Sequence, residues 1–275
     1  MPTADETKQL FADLFNRASD SYDAVDADFF TPMGARLIEH ARLAEGDHVL
    51  DLGTGRGAAL IPAARAVSTE GSVTGVDLSS GMVEATQRDV DALGLANTSL
   101  WVGDAEHPPS RDGGYDAVTT ALLVFFLPDG PGSLARWRSL LKPNGTLTIS
   151  TFAFGDERWE PVFAVFDPYL PEGMKASQLP PAGWHSTDDA LHQTLTEAGY
   201  RNVSSSTEAF KTRFTDPDHW LRFSRSHGGL FHWDAIPTGQ HTDVESQLVE
   251  ALEPLMDDDG TLTLITGTRF TTARA

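Results

Sequence analysis

A chain of 275 residues, 40% of them hydrophobic, can bury one substantial core, and no apolar run reaches the ~20 residues needed to cross a membrane. The formal net charge of −20 repels phosphate backbones and argues against a nucleic-acid partner. The absence of cysteine excludes disulfides, thiolate metal sites and a cysteine nucleophile, and without a basic-then-apolar leader a cytoplasmic location is expected.

In chain order, the first expected element is an amphipathic helix over 4–18, with Leu10, Phe11, Leu14 and Phe15 on one face. A second helix is expected to start with Thr31 as N-cap and Pro32 at its first position, turning Leu37, Ile38 and Ala41 inward. Residues 1–45 are too few for a separate core and read as a helical flap. From residue 48 strands and helices alternate, with strands at 48–52, 72–77, 98–103, 115–121 and 145–152 and helices at 57–67, 80–93 and 132–141. That alternation implies an α/β fold with a parallel, doubly wound sheet. Lys142-Pro143-Asn144-Gly145 has turn chemistry ahead of the last of these strands. Beyond 152 come an aromatic- and proline-rich stretch over 153–185, a helix from Ser186 or Thr187 to Ala198 closed by Gly199, and strands at 202–213 and 261–272. The segment 215–258 between those two strands is long enough to be a functional cap.

The chemistry is concentrated at strand ends. The run Val49-Leu50-Asp51-Leu52 reads as a buried strand, and Gly53-Thr54-Gly55-Arg56-Gly57 as a tight turn where backbone approaches a ligand. The G-x-G-x-G spacing differs from the G-x-G-x-x-G of dinucleotide-binding turns. In open parallel sheets ligands sit beyond the carboxyl ends of the strands. There, Asp77 is placed to accept hydrogen bonds from two ribose hydroxyls. Past the third strand, in Gly103-Asp104-Ala105, a carboxylate can accept from an exocyclic amine and a backbone amide can donate to a ring nitrogen.

With Asp51, the glycine turn, Asp77 and Asp104 in register, the segment 20–152 resembles the class I S-adenosylmethionine (SAM)-dependent methyltransferases, small-molecule type, similar to the ubiquinone/menaquinone-biosynthesis group. The resemblance implies one Rossmann-like domain over 1–275 with a seven-stranded sheet, its last strand antiparallel, and helical lid insertions. It implies a SAM-binding core over 46–152 and acceptor-side cap segments over 153–185 and 215–258. It makes SAM the cofactor and S-adenosylhomocysteine the product. It places Tyr22, within Phe15–Asp23, over the cofactor, sets Leu78 and Leu122 on the two faces of the adenine, and adds Met82 at the helix start after Ser79-Ser80-Gly81.

Methyl transfer from a sulfonium needs alignment more than acid–base help. The sequence therefore says more about cofactor than acceptor. Phe125 and Phe126 replace the polar tetrad of nucleobase amine methyltransferases and are candidates for an apolar acceptor pocket, as are Trp184, His185, Trp220 and Phe223. With 217–227 helical, His227 shares a face with Trp220 and Phe223, and it is the candidate general base. Asp188-Asp189 and Asp257-Asp258-Asp259 fit a helix start and a turn better than a metal site, so no metal is expected. The expected reaction is O-methylation of a small molecule. C- or N-methylation of a quinone, prenyl or natural-product acceptor is the alternative, and a non-methylating SAM-binding protein is the alternative of another class. Monomer and homodimer both remain open.

Overall fold

β1 (His48–Leu52) buries side chains on both faces, Val49 toward one layer of helices and Leu50 and Leu52 toward the other. A strand covered on both sides belongs inside a parallel sheet. The computed structural model, which describes residues 3–22, 25–171, 175–177 and 183–275, places it there. β1 pairs in parallel with β2 (Ser72–Asp77) and β4 (Tyr115–Ala121). β3 (Thr98–Val102) extends the sheet past β2, and β5 (Leu141–Phe154) extends it past β4. β7 (Leu262–Arg274) runs antiparallel between β5 and β6 (Arg201–Phe214), so the order is β3-β2-β1-β4-β5-β7-β6. This is the Rossmann-like sheet of seven strands expected, with the last strand inserted antiparallel. Strand order reverses between β1 and β4, which opens a crevice at their carboxyl ends.

Helices cover both faces. α2 (Phe30–Ala41) and α3 (Leu60–Val67) pack Leu37, Ile38, Leu60 and Val67 over Val49, Val73 and Phe270. α5 (Gly130–Leu140) and α7 (Asp188–Glu197) pack Leu134, Trp137, Leu191 and Leu195 over Leu50, Leu147 and Ile149. A third cluster is separate from both. It joins the stretch after β5, including α6 (Glu160–Ala164), to α8 (Pro217–Ser224), α9 (Leu230–Asp234) and α10 (His241–Leu252) through Trp159, Phe166, Trp220, Phe223, Trp233 and Leu248. This is the cap.

α1 (Ala4–Ala18) starts with a capping box: the Thr3 hydroxyl accepts from the Glu6 N–H at 3.2 Å while the Glu6 carboxylate accepts from the Thr3 N–H at 2.7 Å. Its inward face is rotated from the expected one, for Leu10 is 48% exposed. α2 starts at Phe30, so Thr31 lies inside the helix and caps nothing. Ring packing of Phe29 on Phe30 and Phe223, at 4.8 and 5.4 Å between centroids, fixes that start and outweighs a hydroxyl cap worth about 1 kcal/mol. α3 begins at Leu60 rather than 57 because the chain is still turning at Gly57. The expected turn over 142–145 is absorbed into an irregular start of β5, with a register shift opposite Tyr115 and Ala117. α8 ends at Ser224, which leaves His227 in the following turn. Of the expected segment 153–185, residues 172–174 and 178–182 lie outside the described residues, as does Asp23. Among the described residues no helix is long and apolar enough to cross a membrane.

Candidate functional site

The crevice continues as a cavity of about 670 Å³ that runs from the glycine turn to the cap. At the turn, the N–H groups of Gly53 and Thr54 donate to the Val76 carbonyl at 2.8 and 3.0 Å. Gly55 takes φ +50, and a Cβ there would stand in open space, its nearest neighbour 4.0 Å away. The Asp77 carboxylate closes the cradle, Oδ2 accepting from the Gly55 N–H at 2.8 Å and Oδ1 from the Ser79 N–H at 2.9 Å. Burial raises the Asp77 pKa, against the effect of those two bonds. Each oxygen keeps a lone pair for a further donor.

Asp51 lies deeper, 1% exposed, with Oδ2 accepting from the Thr54 hydroxyl at 2.8 Å and Oδ1 from the Thr119 hydroxyl at 2.7 Å. Burial pushes its pKa up to about 6, against both hydroxyls. Asp104 receives the Glu106 N–H at 2.8 Å on Oδ1 and Lys8 Nζ at 2.8 Å on Oδ2. Burial would raise its pKa, but the Lys8, Glu106 and His107 hydrogen bonds outweigh it and hold the carboxyl below the usual range. Lys8 also reaches Glu106 at 2.5 Å, so α1 is tied across the mouth by one ammonium. Asn16 Oδ1 adds a second tie by accepting from the Ser79 hydroxyl at 2.7 Å and the Gly81 N–H at 2.9 Å, at the start of α4 (Ser80–Ala92).

Leu78, Met82, Ala105 and Leu122 line the same end of the cavity. Leu122 is held at φ +52, a conformation that costs a non-glycine residue about 1–3 kcal/mol and concentrates at ligand sites. Its N–H donates to the Ser150 carbonyl and hydroxyl, both at 3.2 Å, which keeps it there. Tyr22 lines the cavity and stacks on Phe30 at 4.7 Å. Gly103 does not line it; its N–H donates to the Asp77 carbonyl and so sets the level of Asp104.

The far end is built of rings. Phe125 touches Phe126 and Phe152 at 4.7 and 5.5 Å between centroids, and Phe126 meets Phe11 and Phe15 of α1 at 4.8 and 5.6 Å. Trp220 and Phe223 also face it. Trp184 and His185, expected in this pocket, are not among its walls. Trp184 fills the space over Gly130, where a Cβ would meet its ring at 2.2 Å, and packs on the sheet core. The His185 carbonyl accepts from Arg269 at 3.1 Å, and its ring stands 6.1 Å from that of Phe125. Lys8, Phe29 and Phe152 line the cavity without having been singled out in the sequence, and Phe11 and His232 line it without having been assigned to it.

His227 lines the cavity between Phe29, Phe30 and Phe223. Its Nδ1 accepts from the Gly229 N–H at 3.0 Å. Burial, reinforced by nearby His232, pushes its pKa down to about 3, so the ring is neutral and its single proton sits on Nε2. Nε2 is buried and has no hydrogen-bond partner among the described residues. In this arrangement the ring offers a donor and no free lone pair, which does not favour the expected general base.

The bare backbone at Gly55 and the spare lone pairs of Asp77 and Asp104 fit a nucleoside with a ribose diol and an exocyclic amine. A methyltransferase-domain family model matches residues 49–145. Aklanonic acid methyltransferase of a Streptomyces species (strain C5) is 35% identical over 211 residues, covering 73% of this chain and 96% of that protein. Nocamycin O-methyltransferase of Saccharothrix syringae is 30% identical over 253 residues, covering 87% and 89%. Phosphoethanolamine N-methyltransferase 2 of Haemonchus contortus, solved with SAM, superposes with a TM-score of 0.58 at 16% identity over 94% of this chain and 57% of that one, a likeness of fold alone.

Proposed function

The chain belongs to the class I SAM-dependent methyltransferases, and from that premise we propose that it methylates an oxygen of a bulky, largely apolar natural-product acceptor seated under the aromatic cap. Membership assigns methyl transfer rather than cofactor binding alone. One observation carries the acceptor reading: a single cavity runs from the Asp77 carboxylate to the rings of Phe125, Phe152 and Phe223. The choice of oxygen is supported by the names of the two relatives, one an O-methyltransferase and one a methyltransferase of an acid.

Bound in the cradle, SAM supplies a methyl group on a positively charged sulfur. Asp77 takes the ribose hydroxyls on its spare lone pairs, and Asp104 takes the adenine amine beside Lys8. Leu78 and Leu122 flank the base, and Tyr22, Met82 and Ala105 close the walls around the nucleoside. Gly53, Thr54 and Gly55 let the backbone approach, while Asp51 presents a carboxylate that favours a neighbouring cation. Holding two reactants in line in this way is worth on the order of 7–11 kcal/mol, enough to make positioning the main catalytic effect. Phe125, Phe126, Trp220 and Phe223 shape the acceptor end and exclude water from it.

The test is incubation with SAM carrying tritium in its methyl group and a panel of polycyclic hydroxy and carboxy compounds. The expected product is extractable and loses its label to alkali, as an ester, or to hot hydriodic acid, whose iodide takes up the methyl group, as an ether. Label that resists both treatments, or an unlabelled extract across the panel, contradicts O-methylation.

A further inference from the structure

The acceptor end holds a buried donor that no described residue satisfies. The Nδ1 lone pair of His227 is taken by the Gly229 N–H at 3.0 Å, which leaves the proton on Nε2, and Nε2 has no partner among the described residues. A buried donor left unpaired is costly, and the cost vanishes when a ligand oxygen meets it. The rings of Phe29, Phe30 and Phe223 pack around the imidazole at 6.4, 5.6 and 4.3 Å, and they line the cavity together with His227.

Among the described residues, the imidazole and carboxylates of the wall are poorly suited to remove an acceptor proton. His232, in the same wall against Phe166 and Phe231, is kept neutral by burial down to about pH 4, with Asp167 opposing. An imidazole with that pKa is a weak base. Asp156, also in the wall, is held below the usual carboxylate range: burial would raise it, and hydrogen bonds from Arg158 and the Ile265 N–H outweigh that. Asp51 and Asp77 stand at the glycine turn with both oxygens of each already accepting a hydrogen bond.

We propose that His227 seats the acceptor by donating a hydrogen bond from Nε2, and that the acceptor brings its own anionic oxygen, as a carboxylate or an acidic phenolate. This rests on the methyl-transfer reading above. In the transfer the oxygen's electron pair forms the new O–C bond while the C–S bond breaks and its pair stays on sulfur. The negative oxygen and positive sulfur charges cancel. No proton has to be removed, so a donor suffices where a base was expected.

The test uses 2-naphthoate as probe on the full chain saturated with S-adenosylhomocysteine. Long-range proton–nitrogen correlation spectra read the ring directly, with His227→Gln used to assign it. A neutral Nε2–H tautomer from about pH 5.5 to 8 is expected, with its proton moving downfield as naphthoate binds. His227→Gln, which keeps an N–H donor but offers no base, should bind naphthoate within about threefold of wild type; His227→Leu should bind roughly tenfold more weakly. An Nδ1–H tautomer, a ring titrating near pH 6.5, no naphthoate uptake by wild type, or equal affinity in His227→Leu overturns the proposal. Calorimetry on the same samples separates the two levels. Failure to bind S-adenosylhomocysteine defeats the cofactor site and the proposal with it, whereas binding alongside any of those four outcomes removes only the donor.

Discussion

The two ends of the cavity hold their residues by different physics. At the cofactor end, Gly53, Gly55, Asp77 and Asp104 sit within a few residues of a strand end and are fixed by main-chain hydrogen bonds of 2.8 Å. At the acceptor end, Phe29, Phe125, Phe152 and Phe223 come from four separate segments, and their side chains meet through ring packing. Hydrogen bonds are directional and tolerate little displacement, whereas apolar packing accepts many shapes of similar volume. The first end suits one invariant nucleoside. The second can be reshaped for a new acceptor without disturbing the first.

That contrast can be broken by substitutions confined to one end. The largest effect is expected for Gly55→Val. A β-branched residue at φ +50 is strained, and its side chain enters the space left for the nucleoside. Affinity for S-adenosylhomocysteine should fall by more than about 100-fold, with naphthoate binding in the cap preserved; a coupled loss of both would dissolve the distinction. Phe125→Ala should do the reverse, weakening naphthoate by roughly tenfold, as expected for removing a ring from an apolar wall, while calorimetry finds cofactor affinity unchanged within about twofold.

The smallest effect sharpens the comparison through Asp51, the most deeply buried acid of the cofactor end. Its folded pKa of about 6 lies above the ordinary 3.8, so the folded state holds the proton more tightly than the unfolded chain. The stabilisation from protonated Asp51 is fully present below about pH 4 and is lost as pH rises through 6. Asp51→Asn removes that dependence. Its melting temperature relative to wild type should rise between pH 4.5 and 7.5, by a few degrees for a change of about 2–3 kcal/mol. A constant difference across that range would show that Asp51 is not shielded.

The same contrast explains what could be read from the chain. The alternation of strands and helices and the glycine turn followed from local spacing, and the antiparallel insertion from the family resemblance, because an acid at or just past a strand end lands at the sheet's open edge wherever the rest of the chain goes. The acceptor wall did not follow. Trp184 and Trp220 look alike in sequence, yet Trp184 is drawn to the gap over Gly130 while Trp220 packs 5.8 Å from Trp159 beside the cavity. Phe11 and Phe15 were visible as an i, i+4 pair, but Leu10 shared their stripe, and tertiary contacts such as the ties of Lys8 and Asn16 hold the rotation of the helix. His227 was found by its spacing from Phe223, but its tautomer is set by the Gly229 N–H, a contact made after the helix has ended that spacing does not show.

The central claim is that Asp77 anchors a SAM-type nucleoside at the sheet edge, and calorimetric titration of wild type and Asp77→Ala with S-adenosylhomocysteine tests it most directly. Removing a carboxylate that would accept two hydroxyls should weaken binding by at least about 100-fold, at 1.5–3 kcal/mol for each charge-assisted bond. Equal affinity in the two proteins would contradict the account.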